Sequence, residues 1–157
     1  MAETPTAAAD LQLVPLLDYL ARIGRRAGEG TPGALRPRQV IALKLLADDG
    51  PVGQQHLAEV LSLDPSNVVV LLNELEARDL VVRRRDPADR RRHIVEISTK
   101  GTAELTDACA HFGQIEDVMF ASLSADERAT LHGLLARAVS TAPQCTAPLP
   151  PEDCSPS

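Results

Sequence analysis

"DPSNVVVLLNELEARDLVVRRRDPADRRRHIVEI" runs from Asp64 to Ile97 and changes its hydrophobic period halfway along. Its first half places Val68, Leu71, Leu72 and Leu75 at i, i+3, i+4 and i+7, the spacing of one buried helical face. Asp64 is a strong N-cap type, and Pro65 has a φ already suited to the first helical position. A helix beginning at Pro65 is therefore predicted. From Leu80 the period drops to two. Leu80 and Val82 match Val95 and Ile97 as the expected inward face of two strands. Between the strands lie Arg83, Arg84, Arg85, Arg90, Arg91 and Arg92, interrupted by Asp86, Pro87 and Asp89. The segment reads as a helix followed by a β-hairpin with a charged tip. Two strands alone are marginal, so the hairpin must lean on the helices before it.

Working upstream, "SLD" is a three-residue turn, and "QQHLAEVL" is a short helix with Gly53 as its N-cap. A helix is expected from Pro37 to about Ala47, with Val40, Leu43 and Leu46 or Ala47 inward, stopped by "DDGP". Before it, "LQLVPLLDYLARIGRRA" predicts a helix capped by Asp10 and ending near Ala27, with Leu13, Leu16, Leu17, Leu20 and Ile23 on one stripe. Pro15 must then sit near its first turn. Downstream, Ser98 caps an expected helix from Thr99 to Ala121, with Leu105, Cys109 or Ala108, Phe112, Ile115 and Met119 on one side. Ser124 and Glu127 form a capping box before a last helix striped by Leu131, Leu134, Leu135 and Val139. Residues 1–9 read as a flexible arm. Residues 143–157 hold five prolines in fifteen positions and read as a disordered tail.

Composition sharpens this. There is no Trp, one Tyr and two Phe in 157 residues, so the core must be aliphatic, which suits helices. No apolar run is long enough for a membrane span, and "MAETPTAAAD" lacks the pattern of a secretory signal, so a cytoplasmic location is expected. Cys109, Cys145 and Cys154 fit neither a disulfide framework nor a metal knuckle. Cys109 and His111 stand two apart on a helix and face different ways, which argues against a catalytic or metal pair. No metal, no cofactor and no enzymatic activity are expected.

Charge separates the remaining classes. The chain is at −6 overall, yet Arg83–Arg92 carries an excess of four positive charges. An acidic body with one basic prong meets a polyanion only where the prong reaches. Helix, short helix, turn, helix and hairpin is the order of a winged helix-turn-helix. Its second helix would lie in a major groove, with Pro65, Ser66, Asn67 and Val70 against base edges. Arg84, Arg85, Arg90, Arg91 and Arg92 would reach phosphates or a minor groove. Asp86 and Asp89 are read as struts that shape the loop.

The span from about Val52 to Gly101 resembles the multiple antibiotic resistance regulator (MarR) family. Its most specific part is "DPADRRRHIVEISTKG", where the family's Asp-x-Arg wing signature falls on Asp89 and Arg91. Ile97-Ser98-Thr99-Lys100-Gly101 stands where the family's usual Leu-Thr-x-x-Gly lies. The resemblance implies an obligate homodimer built from interleaved terminal helices, about 10–27 and 99–141, around a DNA-binding lobe of about 36–97 within a domain of 10–142. It also implies a pseudo-palindromic operator, repression by occlusion, and release by a small anionic or aromatic effector or by thiol oxidation. No cysteine lies in the first helix, which argues against the peroxide-sensing mode. Asp79 replaces a common Gly C-cap, so that helix is expected to end without a left-handed residue. Tyr19, Arg22 and Arg38 are candidate effector ligands near the dimer interface. A second reading keeps the fold as a ligand-binding or protein-interaction module without operator binding.

Overall fold

The computed structural model describes residues 10–141 apart from residues 29, 30 and 32. The expected arm over 1–9 and tail over 143–157 lie outside the described residues. The order is α1 (Leu13–Gly28), α2 (Pro37–Asp49), β1 (Val52–Gly53), α3 (Gln54–Val60), α4 (Pro65–Ala77), β2 (Val81–Arg85), β3 (His93–Ile97), α5 (Thr99–Met119) and α6 (Ala125–Thr141). The fold is mostly helical with one small antiparallel sheet, ordered β1-β3-β2. The third strand, β1, is an addition to the expected hairpin: Val52 pairs with Val95 and Gly53 with Ile94. Two residues are too few to show a period, which is why the sequence pattern misses it.

The core lies where α2, α3 and α4 meet the sheet. Leu43, Leu46, Leu57, Leu71, Leu72, Leu75 and Val95 are all sealed from solvent. Truncating any one of these leucines to Ala costs about 2–5 kcal/mol, because transfer and cavity terms add. The α4 stripe of Val68, Leu71, Leu72 and Leu75 is buried as its spacing predicts. The α2 face is shifted from expectation: Gln39, Ala42, Leu43 and Leu46 are buried, while Ala47 is exposed. On α5, Leu105, Ala108 and Ile115 are buried, and Cys109 is exposed.

The hairpin parity is also corrected. Val81 is buried and pairs with Ile97, whereas Val82 is 40% exposed. The cause lies one step upstream. Asp79 adopts φ 60, Leu80 N–H reaches Leu75 C=O at 2.9 Å, and Asp79 N–H reaches Glu76 C=O at 2.9 Å. This is a Schellman motif, so α4 does end in a left-handed residue although that residue is not Gly. Leu80 is buried as the motif's hydrophobic partner of Leu75, and strand alternation restarts at Val81. The turn between α3 and α4 is built alike. Ser62 has φ 50, Leu63 N–H bonds Ala58 C=O at 3.0 Å, and Ser62 N–H bonds Glu59 C=O at 3.1 Å.

The start of α5 locks onto this end of α4. Ser98 Oγ donates to Asp79 C=O at 2.6 Å and accepts from Gly101 N–H at 2.9 Å. Lys100 Nζ donates to Arg78 C=O at 2.8 Å. A Cβ at Gly101 would stand 2.1 Å from Leu80 C=O, so only Gly permits this approach.

The terminal helices are different. α1 begins at Leu13, later than the expected Asp10 cap, which leaves Pro15 in its first turn, where the N–H donor that proline lacks would have no intrahelical acceptor. α1 leans on α5, with Gly24 near Met119 and Gly28 near Ile115. Neither α1 nor α6 from Ala125 to Ser140 contains a buried residue. The Ser124–Glu127 capping box is present: Ser124 N–H donates to Glu127 Oε2 at 2.7 Å and Glu127 N–H to Ser124 Oγ at 3.3 Å. That backbone donation holds the Glu127 carboxyl below its ordinary value.

Candidate nucleic-acid interface

The first turn of α4 is open. Pro65, Ser66 and Asn67 are exposed, and Val70, one turn on, is 51% exposed on the side away from Val68 and Leu72. Asp64 occupies the N-cap position in extended geometry but makes no side-chain bond to the helix backbone. Its carboxylate instead accepts from Asn67 Nδ2 at 3.4 Å. The leading N–H groups of α4 are therefore not capped by that side chain, contrary to the expectation from residue type.

The wing is an ordered turn. Asp86 Oδ1 accepts from Ala88 N–H at 2.8 Å, and Asp89 Oδ1 accepts from Arg91 N–H at 3.0 Å. Both are side-chain turns of the kind short carboxylates make. Asp86 N–H closes the loop onto Arg92 C=O at 3.0 Å. Asp89 also stands 3.6 Å from Arg92 Nε. The six arginines divide. Arg83 turns inward and bonds Glu76 and Asn73 of α4. Arg84 lies 3.3 Å from Glu96 across the strands but stays largely exposed. Arg85, Arg90 and Arg91 are exposed, and their guanidiniums have no ion-pair partner among the described residues.

A groove of about 860 Å³ joins these two features. Pro65 and Val68 of α4 line one side, and Asp86, Arg91, Arg92 and His93 of the wing line another. Gln54, Gln55 and His56 at the start of α3 complete it. These three are not among the binding residues expected from sequence. A run of three polar, hydrogen-bonding side chains directly after a helix N-cap was the available signal. Ser66, Asn67, Val70, Arg84, Arg85 and Arg90 lie exposed outside the groove itself.

A second cleft, about 610 Å³, lies between α1, the start of α2 and α5. Arg25, Arg36, Arg38, His111 and Phe112 line it. His111 Nε2 is buried and has no hydrogen-bond partner among the described residues. Of the three effector candidates read from sequence, only Arg38 is there. Arg22 is paired with Asp18 four residues earlier, and Tyr19 is an exposed α1 residue; neither lines the cleft. Among the described residues, no cluster of three or more His, Cys, Asp or Glu could hold a metal. No described helix is long and apolar enough to cross a membrane.

A short helix, a tight turn, an exposed second helix and an arginine-tipped hairpin define a winged helix-turn-helix protein. Residues 35–92 match the sequence model described as MarR family. The chain belongs to the MarR family of transcriptional regulators. It is 33% identical over 103 residues to the transcriptional repressor NicR of Pseudomonas putida, a match covering 66% of this chain and 65% of that protein. The chain thus spans just under two thirds of that relative. Among solved structures, a probable transcriptional regulator from Pseudomonas aeruginosa aligns at TM-score 0.70 and 34% identity, covering 82% of this chain and 98% of that one. Bordetella bronchiseptica BpsR, whose DNA binding is regulated by 6-hydroxynicotinic acid, aligns at TM-score 0.68 and 25% identity, covering 81% and 98%. These relatives are regulators, and the family does not consist of enzymes.

Proposed function

We propose that this protein is a homodimeric, sequence-specific binder of double-stranded DNA that represses transcription in the cytoplasm. The reading is carried by one groove that Pro65, at the open start of α4, lines together with Arg91 and Arg92 of the wing. In this reading α4 enters the major groove. Ser66 and Asn67 hydrogen-bond base edges, and Val70 meets a thymine methyl. Arg84, Arg85, Arg90, Arg91 and Arg92 take phosphates or the minor groove, with Asp86 and Asp89 holding the loop that carries them.

Dimerisation is supported by the terminal helices. Leu13, Val14, Val118, Leu134 and Val139 are each more than half exposed in the single chain. Apolar surface on this scale marks an interaction face. A two-fold dimer presents two α4 helices and so selects a pseudo-palindromic operator.

The second cleft suits a small aromatic anion. Three arginines supply charge, His111 supplies an unused ring nitrogen, and Phe112 supplies a flat apolar wall. An aromatic carboxylate of the 6-hydroxynicotinic acid type fits that chemistry, and BpsR provides the precedent. Selection of bound duplexes from a random pool tests the DNA reading and returns the operator. Failure to enrich any sequence at low salt, with the dimer intact, refutes it in favour of an interaction module on the same fold.

A further inference from the structure

Glu74 sits in the middle of α4 and gathers donors from the first turn of α2. Arg38 Nη2 reaches both of its carboxylate oxygens, at 3.1 and 3.2 Å. Gln39 Nε2 donates to it at 3.1 Å, and Arg36 Nη1 stands 3.9 Å away. Gln39 is only 4% exposed, and its carbonyl oxygen accepts from Arg36 N–H at 2.9 Å. Both amide groups of this buried side chain are therefore engaged, which fixes the geometry of the junction. No other contact described for α4 joins it to α2 through charge.

Arg36 and Arg38 also line the second cleft, while Glu74 does not. Among the described residues, no carboxylate lines that cleft. Arg36 and Arg38 thus adjoin both the Glu74 carboxylate of α4 and a cavity whose described lining holds no carboxylate. Arg38 bonds Glu74 through a single nitrogen, so its other N–H groups are not used on Glu74. A cation so placed can be approached by a second carboxylate from the cleft side.

We infer that Arg38 is a shared cation, held by Glu74 when the cleft is free and drawn away by an anionic effector, so that the Arg38–Glu74 pair transmits cleft occupancy to α4. This rests on the effector and DNA-binding readings above. The physical step is competition: a second carboxylate beside Arg38 weakens its attraction to Glu74 and repels Glu74 itself. Gln39 is neutral and cannot compensate. By linkage, α4 seated on DNA must weaken effector binding by the same factor. Glu74 and Arg38 are positioning residues here, since neither is asked to touch a base.

A double-mutant cycle on the full chain tests the pair without any effector. Affinity for the selected duplex is measured for wild type, Arg38→Gln, Glu74→Gln and the double variant. The expected coupling is about five- to tenfold, with the double variant little worse than either single one. Strictly additive effects, or no effect from either substitution, overturn the proposal. Circular dichroism of each variant shows whether it folds, and Arg38→Lys, which retains the charge, is expected to recover part of the loss. The second arm titrates 6-hydroxynicotinic acid by calorimetry. Glu74→Gln is expected to bind it about fivefold more tightly than wild type, and to lose less duplex affinity when saturated. Equal binding and equal loss in both proteins overturn the proposal and leave the effector reading standing. An acid that binds neither protein removes the effector reading instead, and the cycle still decides the pair.

Discussion

Arg83 of β2 donates its Nε–H to Glu76 of α4 at 2.9 Å. An arginine within the basic run therefore joins the hairpin to the helix before it. The hydrogen bond from Arg83 is also the main reason the Glu76 carboxyl titrates below its ordinary value of 4.5.

A pH dependence follows. Because the folded pKa of Glu76 is depressed, the pair stabilises the fold above the ordinary carboxylate value. It loses that contribution as pH falls through the depressed value. Both side chains are partly exposed, so the size is below about 1 kcal/mol. Urea melts of wild type and Glu76→Gln are expected to differ at pH 7 and to draw together as pH falls below the ordinary carboxylate value. A gap that stays constant down to acid unfolding would show that the charge is not responsible.

Gly101→Ala is expected to be among the most disruptive single-methyl changes in the chain. Its Cβ would lie 2.1 Å from the Leu80 carbonyl and 2.9 Å from Ile97 Cγ1. Neither backbone can retreat without breaking the Ser98 contacts on both sides. Overpacking of this kind costs about 1–3 kcal/mol or more, read as a lower urea midpoint. An unchanged midpoint would mean that α5 does not start against Leu80.

Asp79→Gly should move stability the other way. The left-handed backbone at φ 60 costs a non-Gly residue about 1 kcal/mol, offset in part by the greater freedom of Gly when unfolded. A gain of up to about 0.5 kcal/mol is expected in thermal or urea melts. Any loss would show that Asp79 contributes more through Lys100, 3.9 Å away, than its backbone strain costs.

Leu134→Glu tests the dimer. Leu134 is 54% exposed in the single chain, where a charge would be harmless. In a subunit interface the same charge is desolvated and unpaired, at a cost of several kcal/mol. Sedimentation should therefore show a shift from dimer to monomer with helicity retained. A dimer that persists undiminished at micromolar concentration would remove α6 from the interface.

Arg91→Ala tests the wing. The Asp89 carboxylate holds Arg91 through its backbone N–H, which Ala keeps, so the loop survives while one charge is lost. If eight phosphates are neutralised per dimer, log affinity falls against log salt with a slope of about −7. The variant should flatten it by about two and weaken all duplexes alike. Asn67→Ala should instead relax preference at one base per half-site by about 1–3 kcal/mol. A slope unmoved by Arg91→Ala would take that side chain off the phosphates.

Local periodicity carried most of the architecture. The α4 stripe, the Ser98 cap, the Ser124–Glu127 box and the arginine tip are all interactions within a few residues, and each is legible. What failed depended on contacts distant in sequence or on one backbone angle. Leu80 and Val82 look like strand partners until Asp79 adopts its left-handed turn and resets the alternation. β1 exists only because β3 offers it an edge. Spacing left Ala108 and Cys109 as alternatives on α5, and the structure buries Ala108. The bond from Arg38 to Glu74 joins residues 36 apart, and no spacing rule reaches so far. The same holds for the second cleft, where His111 and Phe112 meet Arg36 and Arg38 across separate helices, while Tyr19 and Arg22 do not line it.

Tyr19 has a separate consequence. The chain has no tryptophan and no second tyrosine, so its near-ultraviolet emission comes almost wholly from one ring. That ring sits on α1, a helix with no buried residue of its own in the single chain. Quenching by a small solute such as iodide therefore reads the covering of that helix alone, in the unlabelled protein and at any concentration where light can be collected.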